Sequence, residues 1–196
     1  MIRLDFIFYE QKDYLKQMFQ FNWKWVCLVM AAAAVAFFLV YVVTGWRHVA
    51  FSGFLLCILI GIYMGCVAGL TLFNREPTGT ARMNLDLFWS YRAVLETHSS
   101  KRLVEIICNI AMCVPFGIMI PLLLRWTRNF FVFLLCDVAF TVFIESVQYI
   151  TTRGLFELDD IFNNALGGII GYLVFYLCYK LAEGIRDMMA EIFRPA

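Results

Sequence analysis

The residues best suited to chemistry lie in one stretch, Glu145 to Gly171, which reads ESVQYITTRGLFELDDIFNNALGGIIG. Its carboxylates can hold a cation or act as acid and base, and its arginine can grip a phosphate through a planar fork. The flanking sequence is mostly Phe, Leu, Ile and Val. Ionisable groups in so apolar a chain are costly unless each finds a partner or water, so this stretch is the first candidate for a functional site.

The composition is that of a membrane protein. Of the 196 residues, 62% are hydrophobic and 16% are charged, whereas an average soluble domain has about 45–50% and about 25%. A helix needs about 20 apolar residues to cross the bilayer. Five stretches meet this requirement: Trp25 to Val43, Val49 to Phe73, Leu103 to Leu124, Asn129 to Ile150, and Ile161 to Lys180. We predict an all-α, polytopic transmembrane helical bundle.

Three parts are predicted along the chain. Residues 1–22 alternate aromatic and charged side chains and are expected to form an amphipathic helix on the membrane surface. Residues 23–182 form the transmembrane domain, and residues 183–196 form a C-terminal tail. The net charge of +1 gives no reason to expect a nucleic-acid partner. The seven cysteines show no metal-ligand spacing, so no metal and no other cofactor is expected.

Topology is expected to bring the polar residues together. Consecutive spans cross in opposite directions, so the long connection 74–102 and the connection 151–160 lie on the same side of the membrane. The helix ends on that side carry most of the unusual polar residues: Glu105, Asn109, Glu145, Gln148, Asp160, Asn163 and Asn164. Asp137 lies deeper, inside the fourth span, and is expected to face other helices.

These positions resemble the motifs of the VanZ-like family of small bacterial membrane proteins, named for the accessory teicoplanin-resistance protein. The resemblance covers roughly residues 80–180. It is carried by Arg82 with Asn84, Leu85 and Phe88, by Asn109 with Pro115, Phe116 and Gly117, by Glu145 with Gln148, and by Arg153, Glu157, Asp159, Asp160, Asn164, Gly167, Gly168 and Gly171. Leu87 and Glu157 stand where the family often has Pro and Asp.

The resemblance implies a multi-pass protein of the bacterial inner membrane, associated with reduced susceptibility to teicoplanin-type glycopeptides. With the topology, it predicts a binding cluster of ten residues: Arg82, Asn84, Asn109, Glu145, Gln148, Arg153, Glu157, Asp159, Asp160 and Asn164. Four glycines are predicted to pack helices together: Gly117, Gly167, Gly168 and Gly171.

Several roles for the cluster stay open. One is a purely structural network in which Arg82 and Arg153 pair with the carboxylates. A second is a site that binds or shields a lipid headgroup, a cell-wall precursor or a lipoglycopeptide. A third is an enzyme that acts on a phospholipid or lipid-linked precursor, with Glu145, Asp159 and Asp160 as acid and base or as ligands for a divalent cation. Transport fits poorly because the chain has no internal repeat. Binding is the preferred hypothesis; the ligand and the oligomeric state stay open.

Overall fold

The computed structural model describes residues 11–13, 16, 22–43 and 51–192. The elements within these residues are, in order, α1 (Trp23–Val43), α2 (Phe51–Ala68), β1 (Arg82–Asn84), α3 (Trp89–Thr97), α4 (Ser100–Leu123), α5 (Phe130–Ile150), β2 (Leu155–Glu157) and α6 (Leu158–Ile192). A π-helical turn (Gly69–Phe73) extends α2, and a 3-10 turn (Arg125–Arg128) joins α4 to α5.

Five helices among the described residues are long and apolar enough to cross a membrane: α1, α2 with its π-helical turn, α4, α5 and α6. The prediction of an all-α bundle with five spans is therefore confirmed. The predicted surface helix of residues 1–22 lies mostly outside the described residues. Helix α6 continues without a break to Ile192, beyond residue 182 where the transmembrane domain was predicted to end.

Helices α4 and α6 pack backbone against backbone. A Cβ placed on Gly171 would overlap the carbonyl oxygen of Val114, and a Cβ on Gly167 would overlap that of Ile110. Gly117 of α4 faces the α6 backbone in the same way. Small residues permit this approach, which favours helix association in lipid, where no hydrophobic force drives helices together. The two helices form the frame that positions the polar groups at their N-terminal ends.

An apolar core holds the opposite half of the bundle together. Phe116 and Ile120 of α4 are buried together with Phe133 of α5 and with Tyr172 and Phe175 of α6. Their burial removes large aromatic surfaces from lipid and fixes α5 against the α4–α6 frame.

A small parallel sheet joins the two connections at the polar end. Strand β1 pairs with β2 so that Arg82 lies opposite Leu155 and Asn84 lies opposite Glu157. This pairing places both connections on the same side of the membrane, as the topology predicted. The strands themselves were not predicted, because three residues are too few to show an alternating pattern.

Candidate ligand-binding site

Asp159 fastens the long connection to the start of α6. Its side chain is fully buried. It accepts hydrogen bonds from the backbone amides of Phe88 and Ser90 and from the Ser90 hydroxyl, the bonds to Ser90 being 2.8 and 2.5 Å long. The phenol of Tyr91 donates to Asn163, about one turn further along α6, at 2.5 Å. These contacts hold α3 against α6 and make Asp159 an anchor of the fold.

Two further polar side chains hold the C-terminal end of α5. Glu145 is 2% exposed and accepts a hydrogen bond from the backbone amide of Glu157 at 3.2 Å. Gln148 is equally buried and donates to the carbonyl oxygen of Thr71 at 3.0 Å. Carbonyl groups at the end of a helix have no partner within it, so an amide donor is well placed there. Glu145 and Gln148 thus tie β2 and α2 to α5.

Arg153 also binds the end of α2. Its Nη1 donates to the carbonyl oxygens of Leu72 at 3.0 Å and Arg75 at 2.7 Å. These carbonyls lie at the negative end of the helix dipole, which favours a cation. The structural network predicted from the sequence paired Arg82 and Arg153 with the carboxylates, and the structure corrects this pairing. Arg153 donates hydrogen bonds to backbone carbonyls and not to a carboxylate. Arg82 is exposed on β1.

A cavity of about 320 Å³ lies between the long connection and the N-terminal ends of α4 and α6. This volume is at the lower end of the roughly 300–1,000 Å³ typical of small-molecule pockets. Three cationic and three acidic side chains line it: Arg75, Lys101, Arg102, Glu105, Glu157 and Asp160. The cavity is therefore a polar chamber that presents both signs of charge at one face of the membrane.

The α4 wall of the cavity carries cations that are already ordered. Arg102 Nη1 lies 2.8 Å from Glu105 Oε2, and Lys101 Nζ lies 3.9 Å from Glu105 Oε1. The Arg102 guanidinium also stacks on the ring of Trp89, 4.6 Å from its centroid. A carboxylate on one side and an aromatic face on the other hold the guanidinium in place, so less side-chain entropy is lost when it binds an anion.

The opposite wall, the α6 wall, is formed by Glu157 at the end of β2 and Asp160 in the first turn of α6, and it carries the acids. Asp160 Oδ1 accepts a hydrogen bond from Asn109 Nδ2 at 2.7 Å. Glu157 makes no hydrogen bond or salt bridge through its carboxylate to any residue that the structure describes. Burial, and then the nearby Asp160 carboxylate, raise the pKa of Glu157 to about 7, against the opposing influence of Arg102 and Arg75. This wall therefore has an excess of acid over nearby cation.

Arg75 lies beside both α5 and the acidic wall. Its Nη1 would be 3.0 Å from a Cβ placed on Gly154, in the connection that leads to β2. Its positive charge acts on the carboxyls of Glu145, Glu157 and Asp160. Arg75 is the cation best placed to hold a ligand's anionic group near these acids.

The structure separates the ten predicted residues into three groups. Asn109, Glu157 and Asp160 line the cavity. Glu145, Gln148, Asp159 and Asn164 are buried behind them, and the first three hydrogen-bond neighbouring elements. Arg153 binds backbone carbonyls, whereas Arg82 and Asn84 lie on β1 away from the cavity.

Sequence reasoning did not select the cations that line the cavity. Lys101 and Arg102 precede Glu105 by four and three residues at the start of α4, and Asn109 follows Glu105 by one turn. A helical face of this kind with Ser99 as N-cap was a usable signal, because residues three and four apart share a face. No comparable pattern indicated that Arg75 lines the cavity, because its position depends on the π-helical turn Gly69–Phe73 in which α2 ends.

Asp137 lies apart from the cavity. It is fully buried in α5, and neither of its oxygens has a hydrogen-bond partner among the residues that the structure describes. Its carboxyl lies against Gly168, where a Cβ would overlap it. The expectation that Asp137 faces other helices is confirmed.

Glu145, Asp159 and Asp160, the carboxylates considered as ligands for a divalent cation, do not form a metal site in the described part of the chain. Asp159 is engaged by Phe88 and Ser90, whereas Asp160 faces the cavity. Within the part of the chain that the structure describes, no three His, Cys, Asp or Glu side chains are grouped so as to hold a metal ion.

The fold and the site define a class: a multi-pass helical membrane protein with a polar cavity at the ends of its spans. The chain belongs to the VanZ/LLP1 family, whose model matches residues 60–179. The match begins within α2, takes in the residues that line the cavity, and ends within α6. No curated protein and no solved structure matches this chain.

Proposed function

We propose that the cavity binds the phosphate-bearing headgroup of a membrane amphiphile, either a lipid or a lipid-linked precursor of the cell envelope. The observation that carries this proposal is the presence of Arg75, Lys101 and Arg102 in a cavity at the ends of the spans. A guanidinium binds phosphate through two parallel hydrogen bonds. A site at the edge of the bilayer allows the acyl chains of the ligand to stay in lipid while its headgroup enters the protein.

The size of the cavity favours a headgroup over a whole lipoglycopeptide. A glycopeptide core built from several linked aromatic residues and sugars is too large for about 320 Å³. A phosphodiester with a short polar substituent has the right scale. Among the ligands suggested by the sequence, a lipid headgroup or the phosphate portion of a cell-wall precursor is therefore the better choice.

Shielding such a headgroup connects the site with the phenotype associated with VanZ-like proteins. We propose that the chain acts in the inner membrane of a bacterium, where it lowers susceptibility to teicoplanin by covering an envelope component. The same cavity is required for binding and for the phenotype. A variant with a damaged cavity is therefore expected to lose both together.

Lipid retention by the purified protein tests the proposal. The protein is extracted with phosphatidylglycerol and phosphatidylethanolamine, and the lipids bound to each molecule are counted by native mass spectrometry. The double variant Arg75→Gln/Arg102→Gln is expected to lose retention about tenfold or more, because each charged hydrogen bond contributes about 1.5–3 kcal/mol. Arg92→Gln is the control, since Arg92 pairs with Asp86 on the exposed side of α3.

The same variants are then compared for teicoplanin susceptibility in a host strain at equal membrane abundance. The wild type and Arg92→Gln should protect, whereas the double variant should not. Equal lipid retention by the double variant and the wild type would contradict headgroup binding. Protection that survives loss of retention would show that binding does not underlie the phenotype.

A further inference from the structure

The charges of the cavity are unevenly paired. On the α4 wall, Glu105 already neutralises part of the charge of Lys101 and Arg102. On the α6 wall, the carboxylates of Glu157 and Asp160 form no salt bridge with any described residue. A ligand that carries only negative charge would satisfy the first wall and leave the carboxylates of the second without a direct salt bridge.

The geometry favours a ligand with both charges. A phosphate near Arg102 and Arg75 would lie on the cationic side, and a positive group joined to it by a short linker would reach the acids. The small volume of about 320 Å³ keeps the two walls within the span of one headgroup. A desolvated carboxylate gains most from a cation that it can hydrogen-bond directly.

The lining also discriminates between kinds of ammonium. Asp160 Oδ1 receives a bond from Asn109, while its other oxygen and the Glu157 carboxylate accept no bond from the described residues. A primary ammonium has three N–H donors for such acceptors. A trimethylammonium has none and is normally held by an aromatic cage. Trp89 is the single aromatic residue among the described residues of the lining, and Arg102 already stacks on its ring.

We infer that the cavity recognises a zwitterionic headgroup in which a phosphodiester is joined to a primary ammonium, as in an ethanolamine phospholipid. The phosphate lies against Arg75 and Arg102, and the ammonium lies against Glu157 and Asp160. This inference rests on the proposed headgroup binding and narrows it to one chemical class.

A methylation series tests the inference on the full-length protein. Phosphatidylethanolamine, its N-methyl and N,N-dimethyl derivatives, phosphatidylcholine and phosphatidylglycerol, all with the same acyl chains, compete for the protein in detergent micelles. Retention of each is measured by native mass spectrometry. The ethanolamine lipid is expected to bind about tenfold or more tightly than the choline lipid, which corresponds to the loss of one charged hydrogen bond.

Glu157→Gln is expected to abolish the preference for the ethanolamine lipid over the choline lipid, because the ammonium loses one of its charged acceptors. The control Glu96→Gln removes an exposed carboxylate of α3 that does not line the cavity, and should keep the preference. Circular dichroism and the unfolding midpoint of Glu157→Gln establish that it is folded. Asp160→Asn is the second variant and should behave in the same way.

The possible outcomes separate the two levels of the proposal. If wild-type protein binds the ethanolamine, choline and glycerol lipids equally, and Arg75→Gln/Arg102→Gln loses all three, the cavity binds phosphate and the zwitterion inference is overturned. If the arginine variant retains every lipid as well as the wild type does, both headgroup binding and the zwitterion inference are overturned. If the preference survives in Glu157→Gln and Asp160→Asn, the ammonium does not bind at the acidic wall.

Discussion

Replacing Asp159 with asparagine should release α3 from α6 without changing the shape of the side chain. The carboxylate accepts hydrogen bonds from the backbone amides of Phe88 and Ser90 and from the Ser90 hydroxyl. In Asp159→Asn, the NH2 of the side-chain amide replaces one of the two carboxylate oxygens. At least one of the two backbone amides then faces a donor where it had an acceptor.

The cost follows from these contacts. A buried amide left without an acceptor costs about 1–3 kcal/mol, and the bonds that remain are weaker because the acceptor is no longer charged. Together these effects give a loss of about 2–4 kcal/mol in the free energy that holds α3 closed. Such a change raises the equilibrium constant for local opening by about 30-fold to about 700-fold.

Hydrogen exchange measures this opening directly. Purified wild type, Asp159→Asn and Asp160→Asn are exchanged in parallel, and uptake is followed in peptides that cover α3, residues Trp89–Thr97. The Asp160 variant is the matched control because it makes the same chemical change at the next residue. Asp160 bonds to Asn109 of α4 and not to α3. Fast exchange of α3 is therefore expected in Asp159→Asn alone.

Two results would refute this reasoning. If α3 exchanges at the wild-type rate in Asp159→Asn, the three hydrogen bonds do not hold the helix in place. If both variants open α3 equally, the effect comes from removing charge near the start of α6 and not from the anchor contacts. Either result would return Asp159 to the set of candidate ligand-binding residues.

Three further changes test other parts of the structure. Gly171→Ala should destabilise the bundle by about 1–3 kcal/mol in detergent unfolding, because its Cβ overlaps the α4 backbone, whereas Gly184→Ala has nothing within 4 Å and should not. The free energy of unfolding should fall as pH rises from about 4.5 to about 7, because burial and Asp160 raise the pKa of Glu157 from 4.5 to about 7 and the folded protein keeps a proton that the unfolded chain has lost. Glu157→Gln should remove this part of the pH dependence, compared at pH 5 and pH 8. Asp137→Asn should leave the unfolding midpoint unchanged or raise it, since neither carboxyl oxygen has a hydrogen-bond partner within the described part of the chain; a marked fall would show that the carboxylate is needed.

The spans and the common side of the two connections were predictable because they depend on properties that act over long stretches. About 20 apolar residues cross a bilayer whatever their order. Consecutive spans cross in opposite directions, so the side on which a connection lies follows from the number of spans before it. Asn109 and Asp160 are joined by a hydrogen bond across α4 and α6. Their proximity followed from topology, since each lies near the start of a span that begins on the same side.

The partners of the arginines were not predictable in this way. The sequence left two partners open for Arg153, a carboxylate in a structural network or the phosphate of a ligand, but in the structure it donates to the carbonyls of Leu72 and Arg75. Those carbonyls lie where α2 ends in a π-helical turn, Gly69–Phe73, and no residue pattern in the sequence predicted that turn. A guanidinium satisfies either acceptor, so residue type alone does not decide between them.

The two adjacent acids at the start of α6 divide the structural and binding roles between them. Consecutive residues of a helix point about 100° apart, so a pair of acids cannot face the same neighbour. Asp159 turns towards the backbone of α3 and closes the cavity on that side, while Asp160 turns towards Asn109 and the cavity itself. A charge buried at the membrane edge is tolerated when hydrogen bonds surround it, as at Asp159, or when a ligand or water reaches it, as the lining position of Asp160 allows. Asp159 therefore stabilises the position of α3, whereas Asp160 sets the charge of the cavity. Substitution of Asp159 should change the local opening of α3, and substitution of Asp160 should change ligand binding, although the two residues are adjacent in the sequence.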